Sequence, residues 1–502
     1  MDKPQSLSQK VVRGGLWAFS LRVLSQALGF IRTIVLARLL VPADFGLLGI
    51  ALLCLTISQT FTQTGFQVAL IQKKDVNKAY LNAAWTATAI RGILLSIILF
   101  CSAPLIAGIL GTANEVVLII RAISVLALLD GFRNIQTIFF QKNFEFRRYF
   151  TYELSATLSE ISVTVVMAVI WQNIWALVCG AITSSLVRLI MSYVVYPERP
   201  RIEFDKEKLG ELFSYGKWAV GSGILVFLVT QGDDLFVGKF LGITALGIYQ
   251  IAFRISNLPA TEIAYAISQV SFPAYARLQD DMAALAEAYL RVLHFTAFIS
   301  APLAGGIILF AADFTHLFLG QKWLPIVPIM QILALAGLIR SLSATSSNLF
   351  YAVGQPKIDT TLLVIRIMVL IGIIYPLTLY YEMVGVAAAV FISLVVSGFG
   401  SGIMAVKIVR CRAGDFLSRM MFSIFNTVIA MLVLLYVKPL ISVGLIEFVI
   451  LAMVWLSIYL LLSYLTDRLL LNGKLQLMLT DILRNMRTNN TTGAQVRGFR
   501  QA

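Results

Sequence analysis

Long apolar runs, parted by short polar clusters, repeat along the whole chain. They fall near residues 14–38, 45–71, 80–109, 116–139, 150–170, 174–196, 212–240, 244–272, 286–311, 325–350, 358–380, 383–406, 420–437 and 443–464. A run of about 20 such residues crosses a hydrocarbon core about 30 Å thick. The short alternating segments of a membrane β-barrel are missing from the pattern. It therefore predicts an all-α polytopic membrane protein with about fourteen transmembrane helices. The polar opening MDKPQSLSQKVVRGG and the length of the first apolar run speak against a cleavable leader.

Basic residues sort these spans by side. When connections are assigned alternately, one side collects 25 Lys and Arg, from Lys3 and Lys10 through Arg199, Arg201, Lys206 and Lys208 to Arg500. The other side holds Arg38, Lys239, Lys322 and Lys438. An excess of Lys and Arg marks the cytoplasmic side, so both termini are expected there. Composition agrees, with 59% hydrophobic and 13% charged residues and a mean hydropathy of +0.84. The net charge of +14 then reflects topology and contact with anionic membrane lipids, not nucleic-acid binding. The longest internal connection is PERPRIEFDKEKLGEL (Pro197–Leu212), so no extramembrane domain is expected to house an active site.

A weak repeat runs through the chain. GLWAFS (Gly15–Ser20) is echoed by GKWAVG (Gly216–Gly221) at an offset of 201, which also pairs Arg38 with Lys239, Leu40 with Leu241 and Gly46 with Gly247. After a six-residue insertion the offset becomes 207 and pairs Arg133 with Arg340. Six spans precede the connection, so the second half starts in the same orientation as the first. The expected organisation is an N-terminal six-helix lobe (1–197), a cytoplasmic linker (198–211), a C-terminal six-helix lobe (212–412), and an extra helix pair with a basic tail (413–502). Two such parallel lobes about a pseudo-two-fold axis suggest alternating access.

Polar residues inside the spans form the candidate site. Arg22, Ser25, Gly29 and Arg32 share one face of the first span. In TISQTFTQTGFQ (Thr56–Gln67), Gln59, Gln63 and Gln67 make one i, i+4, i+8 ladder, and Thr56, Thr60 and Thr64 another. The repeat sets Asp233 and Asp234 opposite Arg32 and Thr33; the eighth span adds Arg254, Asn257 and Glu262, with Pro259 beside them. A charge at the bilayer centre costs at least about 2.5–3.5 kcal/mol, so these residues must face a wet interior or each other. One reading is a cationic, amide- and hydroxyl-lined cavity in which arginines grip phosphate or carboxylate. The plainer reading makes Arg32 and Asp233 or Asp234 a structural ion pair, and the ladders glue between helices. Substrate contacts are assigned to Arg32, Arg254, Arg340, Arg133, Gln59, Gln63 and Asn257, and ion coupling or gating to Asp233, Asp234 and Glu262. Arg22, Arg91, Arg121 and Arg366 read as snorkelling or helix-end residues.

The stretches GGLWAFSLRVLSQALGFIRTIVLARLLVPADFGLLGIA, FFQKNFEFRR and YAVGQPK resemble the Wzx-type polysaccharide-transporter branch of the multidrug/oligosaccharidyl-lipid/polysaccharide exporter superfamily, near its colanic-acid-type lipopolysaccharide biosynthesis members. The resemblance implies a bacterial inner-membrane flippase that carries undecaprenyl-pyrophosphate-linked oligosaccharide from the cytoplasmic to the periplasmic leaflet, with polysaccharide polymerase machinery as a further partner. The first stretch is also similar to the lipid II flippases, where arginines at the positions of Arg32 and Arg254 line the central cavity. Thr33 and Phe253 stand where that family has aspartates, which leaves Asp233 or Asp234 as replacements.

Two other functions are open to such a chain. A multidrug or small-cation exporter would want a cavity richer in carboxylates than in arginines. A membrane-embedded glycan polymerase or ligase would want a sizeable outer loop, and the longest here is near Asp313–Leu324. Cys54, Cys101, Cys179 and Cys411 are scattered without metal spacing, and His294 and His316 have no ligand partners nearby in sequence. No metal, cofactor or enzymatic step is expected.

Overall fold

A computed structural model describes residues 7–73, 76–110, 114–438 and 444–470; Lys3, Lys74 and the tail cations Lys474, Arg484, Arg487, Arg497 and Arg500 lie outside the described residues. Its helices run α1 (Leu7–Leu39), α2 (Pro42–Thr62), α3 (Phe66–Gln72), α4 (Lys78–Leu110), α5 (Asn114–Gly131), α6 (Phe139–Lys142), α7 (Phe146–Trp171), α8 (Trp175–Val195), α9 (Lys206–Phe240) and α10 (Ile243–Arg277). They continue as α11 (Met282–Phe314), α12 (Ile326–Ala352), α13 (Pro356–Val409), α14 (Ala413–Val437) and α15 (Leu445–Leu470). Among the described residues, ten helices are long and apolar enough to cross a membrane by length and composition. The chain is a multi-pass helical membrane protein, and the described part of each of the fourteen apolar runs lies mostly on helix.

Two of those runs share α13. As one straight rod its 54 residues would reach about 80 Å at 1.5 Å per residue, far beyond one bilayer. The rod is broken at Glu382 (φ 48°, ψ −128°), between the runs at 358–380 and 383–406. Gly385 closes the turn, since a Cβ there would collide with the Leu377 carbonyl.

Two runs are less regular than expected. The second breaks after Thr62, where Gly65 takes a left-handed φ of 67° before α3 begins. The Gln and Thr ladders therefore do not extend along one helix: Thr64 lies in the break and Gln67 on α3. The fourth run ends as helix at Gly131. Asn134 then accepts from Gln136 N at 3.0 Å and starts a 3-10 turn, Ile135–Ile138.

The chain gathers into two compact units. The first holds the described residues up to Arg254, with Phe314–Ile329 and Leu370–Val390. Within it α2 and α10 start side by side in a reciprocal contact. A Cβ on Gly46 would strike Ile243 O, and one on Gly247 would strike Pro42 O and come within 2.8 Å of Gly46 N. These four residues exchange under the 201 offset. Small residues at such crossings let backbones approach, which is how helices associate where lipid removes the hydrophobic drive. Gly92 and Gly131 do the same for α4 and α5, with a Cβ on either within 2.8 Å of the other's backbone.

The second unit holds Ile255–Asp313, Met330–Val369 and the described residues from Phe391 onward. Its core runs in layers. Tyr275, Tyr289, Leu349 and Phe350 pack at one level, Leu293, Ala297 and Leu342 at the next, and Phe310, Leu434, Trp455 and Tyr459 beyond them.

Candidate substrate cavity

The irregular ends of the second and fourth runs meet around a polar cavity of about 540 Å³ in the first unit. Thr56, Gln59 and Thr60 reach it from the last turns of α2, Gln63 and Thr64 from the break, and Gln67 from α3. Arg91 enters from α4, Asp130 and Arg133 from the end of α5, and Tyr149, Tyr152 and Glu153 from α7. As regular helix the six positions from Thr56 to Gln67 would fall at i, i+3, i+4, i+7, i+8 and i+11, on one face; the chain breaks after Thr62, and all six still line the one cavity.

Asp130 is the hub of this wall. Arg133 forms an ion pair with it; Ser185 Oγ donates to Oδ1 at 2.8 Å and Gln59 Nε2 donates to Oδ2 at 3.3 Å. Glu153 is held by Arg188, whose Nε and Nη2 donate to Oε2 at 3.3 and 3.2 Å. Arg91 is less committed: its Nη1 donates to Thr62 O at 3.4 Å, and it makes no ion pair among the described residues. The Nε atoms of Arg91 and Arg133 are both buried without a hydrogen-bond partner among the described residues. Unsatisfied buried donors are rare enough in native proteins to require a reason.

A second cationic station lies on α1. Arg32 pairs with Glu160 of α7, with side chains 20% and 25% exposed. Arg254 of α10 packs against Gly29, where a Cβ would lie 2.9 Å from its Nη2, and it interacts with the charges of both Arg32 and Glu160. Arg32 and Glu160 thus form an ion pair with the Arg254 guanidinium in its neighbourhood. The sequence reading looked to Asp233 or Asp234 as the partner of Arg32, and the structure replaces it with Glu160. Asp233 instead accepts from the Tyr249 hydroxyl at 2.7 Å, and Asp234 from Gln250 Nε2 at 3.2 Å. Neither lines the polar cavity; Asp234 borders a smaller apolar one of about 320 Å³ with Ile50, Leu53 and Leu99.

Of the expected site residues, the structure brings Gln59, Gln63 and Arg133 to one cavity, and groups Arg32 and Arg254 with Glu160 outside its lining. Asn257, Glu262 and Arg340 belong to the second unit. There Asn257 is 8% exposed, and Ser256 and Gly337 bring α10 and α12 together beside it. Sequence reasoning passed over Asp130, Glu153 and Glu160, and set Arg91 aside as a helix-end residue. The signal was present. A carboxylate inside an apolar run is a functional candidate by default, and Glu153 and Glu160 lie seven residues apart, on one helix face.

Helices that span the membrane around an arginine-bearing polar cavity define a polytopic membrane protein of the transporter class. The profile of the polysaccharide biosynthesis protein family matches residues 35–328, more than half of the chain, and the chain belongs to that family. It is 27% identical over 358 residues to the lipopolysaccharide biosynthesis protein WzxC of Escherichia coli (strain K12), covering 70% of this chain and 72% of that protein. It is 25% identical over 352 residues to the teichuronic acid biosynthesis protein TuaB of Bacillus subtilis (strain 168), covering 70% and 73%. Among solved structures, the lipid II flippase MurJ in an inward closed conformation superposes with a TM-score of 0.74 at 16% identity, over 90% of this chain and 99% of that one. An inward-facing multidrug resistance MATE family transporter of the MOP superfamily gives 0.56 at 16% identity, over 77% and 96%. At these identities the structural likeness is one of fold.

Proposed function

We propose that the protein is a flippase that moves undecaprenyl-pyrophosphate-linked oligosaccharide from the cytoplasmic to the periplasmic leaflet of a bacterial inner membrane, for surface polysaccharide biosynthesis. The observation that carries this reading is the pair of buried, unpaired guanidinium Nε donors of Arg91 and Arg133 in a cavity otherwise lined by amides and hydroxyls. Guanidinium forks suit a pyrophosphate, and Gln59, Gln63, Thr56 and Thr60 suit sugar hydroxyls. A cation exporter is less well served, because Asp130, Glu153 and Glu160 are each engaged by an arginine. Outward movement of an anionic headgroup is favoured by the membrane potential, by about 2.3 kcal/mol per charge per 100 mV.

On this reading both termini are cytoplasmic, the basic face lies on anionic lipids, and delivered repeat units pass to polysaccharide polymerase machinery. Residues 1–197 and 212–412 act as parallel six-helix lobes that alternate access, with 198–211 as linker and 413–502 as the appended pair and tail. Asn257, Arg340 and Glu262 belong to the second lobe's share of the path, and Asp233 and Asp234 to coupling or gating.

The test is exposure of lipid-linked oligosaccharide at the outer leaflet, in cells or after reconstitution. Arg91→Gln, Arg133→Gln, Arg32→Ala and Arg254→Ala should each lower it about tenfold or more, the loss of a charged hydrogen bond worth about 1.5–3 kcal/mol. Undiminished exposure by normally expressed variants would remove the site.

A further inference from the structure

The connection between α8 and α9 is not a slack linker. Asn134, fully buried, donates through Nδ2 to Tyr196 O and Glu198 O, both at 2.9 Å. Asn82 accepts from Arg201 N at 3.0 Å and donates to the Glu203 carboxylate at 2.9 Å, while Thr86 Oγ1 accepts from Glu203 N at 3.0 Å. Asp205 then accepts from Lys208 N at 3.1 Å and starts α9. Residues 196–205 are thereby pinned as an extended strap along α4 and the turn after α5.

In an extended segment successive side chains alternate sides. With Glu203 turned inward to Asn82, its neighbours Ile202 and Phe204 turn outward and are 77% and 69% exposed. The strap's acids are engaged: Glu198 by Lys78 at 3.4 Å and by Gln136 Nε2 at 3.3 Å, Glu203 by Asn82, and Asp205 by Lys208. Arg199 and Arg201 make no ion pair among the described residues, and they line a cavity of about 470 Å³ together with Lys78 and its partner Glu198. Free guanidiniums beside two outward apolar side chains, outside any apolar run, complement an anionic bilayer surface in both charge and polarity.

We propose that the strap is an interfacial lipid clamp. Arg199 and Arg201 hold the phosphate of an anionic glycerophospholipid in the pocket, and Ile202 and Phe204 enter the boundary between headgroups and acyl chains. Guanidinium forks match phosphate oxygens two at a time, and exposed apolar residues flanked by cations are how peripheral segments sit in a membrane interface. The proposal rests on the strap facing the cytoplasmic leaflet but not on what the protein transports. It gives the linker a role as a fixed anchor against the leaflet.

The experiment is retention of phosphatidylglycerol against phosphatidylcholine by the full chain through delipidation, read by native mass spectrometry. The natural chain should retain phosphatidylglycerol preferentially. Arg199→Gln with Arg201→Gln should weaken that retention roughly twenty-five-fold, about fivefold for each cation near an anionic surface, and the corresponding double Lys variant should keep part of it. Ile202→Ser with Phe204→Ser should weaken retention of both lipids. Arg291→Gln, which removes a cation already paired with Glu287 at 3.0 Å, should leave it unchanged. Thermal unfolding in phosphatidylcholine, equal for all variants, separates a lost site from a lost fold. Unchanged phosphatidylglycerol retention by the double Gln variant would overturn the clamp. So would displacement of the lipid by inorganic pyrophosphate alone, or a Ser pair that keeps its lipid and loses only a co-purifying protein. None of these readings depends on oligosaccharide exposure, so failure of the flippase assay and failure of the clamp are distinguishable.

Discussion

Arg38 and Lys322 cap each other's helices. Arg38 Nε donates to Phe318 O at 2.8 Å and its Nη2 to Leu317 O, in the turn that ends α11, while Lys322 Nζ donates to Arg38 O at 3.1 Å and to Leu40 O, where α1 ends. Trp323 Nε1 adds a bond to Ala37 O at 2.8 Å. Lys239, the repeat partner of Arg38, donates likewise to Ile109 O near the end of α4, and Lys438 to Leu309 O at 2.9 Å on α11. Arg38, Lys239 and Lys322 thus meet carbonyls at or near helix C-terminal ends, where orphan acceptors and the negative pole of the helix dipole coincide, whereas Lys438 meets a carbonyl within α11 and pairs with Asp313.

That reciprocity predicts coupling. Arg38→Ala and Lys322→Ala should each lower thermal stability by about 0.5–1 kcal/mol, the range for a cation at a helix C-terminus. Because each cation also orders the other's backbone, the double variant should cost less than the sum. A double-mutant cycle of thermal unfolding in detergent measures this, and strict additivity would show two independent caps.

Glu160 should matter more for stability than either arginine it serves. Glu160→Gln leaves the Arg32 and Arg254 guanidiniums facing each other without a carboxylate. Removing one partner of a buried pair costs about 3–5 kcal/mol, and the one-fifth to one-quarter exposure of this pair places the expected loss near the lower end. Adding Arg254→Gln should restore part of it by removing the like charge. A double variant no more stable than Glu160→Gln, by melting temperature, would show that the two arginines do not oppose each other.

Glu382 offers a stabilising change. A non-glycine residue held at φ 48°, ψ −128° costs about 1–3 kcal/mol. Glu382→Gly should relieve it and raise the melting temperature, whereas Gly385→Ala should lower it because the new Cβ meets the Leu377 carbonyl backbone. Equal melting temperatures for both variants and the natural chain would remove this account of the hairpin.

The N-terminal end of α9 should respond to acid. Lys73, first, and then the Tyr80 hydroxyl hold the Glu211 carboxyl below its ordinary range, with Lys73 Nζ at 2.8 Å and Tyr80 OH at 2.7 Å. A carboxyl depressed by folding contributes stability above its ordinary range, near about 4.3 for Glu, and loses it as pH falls through the lowered value. Melting curves of the natural chain and Glu211→Gln should therefore differ at neutral pH and converge on acidification. A constant difference at every pH would assign the contact to packing.

Much of this architecture is legible along the chain because a bilayer penalises every unpaired backbone group and nearly every charge. Apolar runs must then be helices, and the boundary at Glu382 could be read from where one run stops and the next begins. Gly46 and Gly247 were aligned by sequence alone, and they meet in space. The breaks at Gln63–Gly65 and Gly131–Asn134 were hidden, since hydropathy averages over a short left-handed or 3-10 turn without registering it. Those two breaks shape the cavity wall.

The sequence determined that the apolar runs are helices of a multi-pass membrane protein and which residues carry charge within them, because solvent and backbone chemistry act on each segment by itself. Only the tertiary structure decided who meets whom. Arg32 finds Glu160 and not Asp233, Asp130 gathers Arg133, Gln59 and Ser185, and Arg91 turns from a helix end into a cavity. Such pairings depend on the rotation and depth of one helix against another, which packing between side chains sets and no single segment contains.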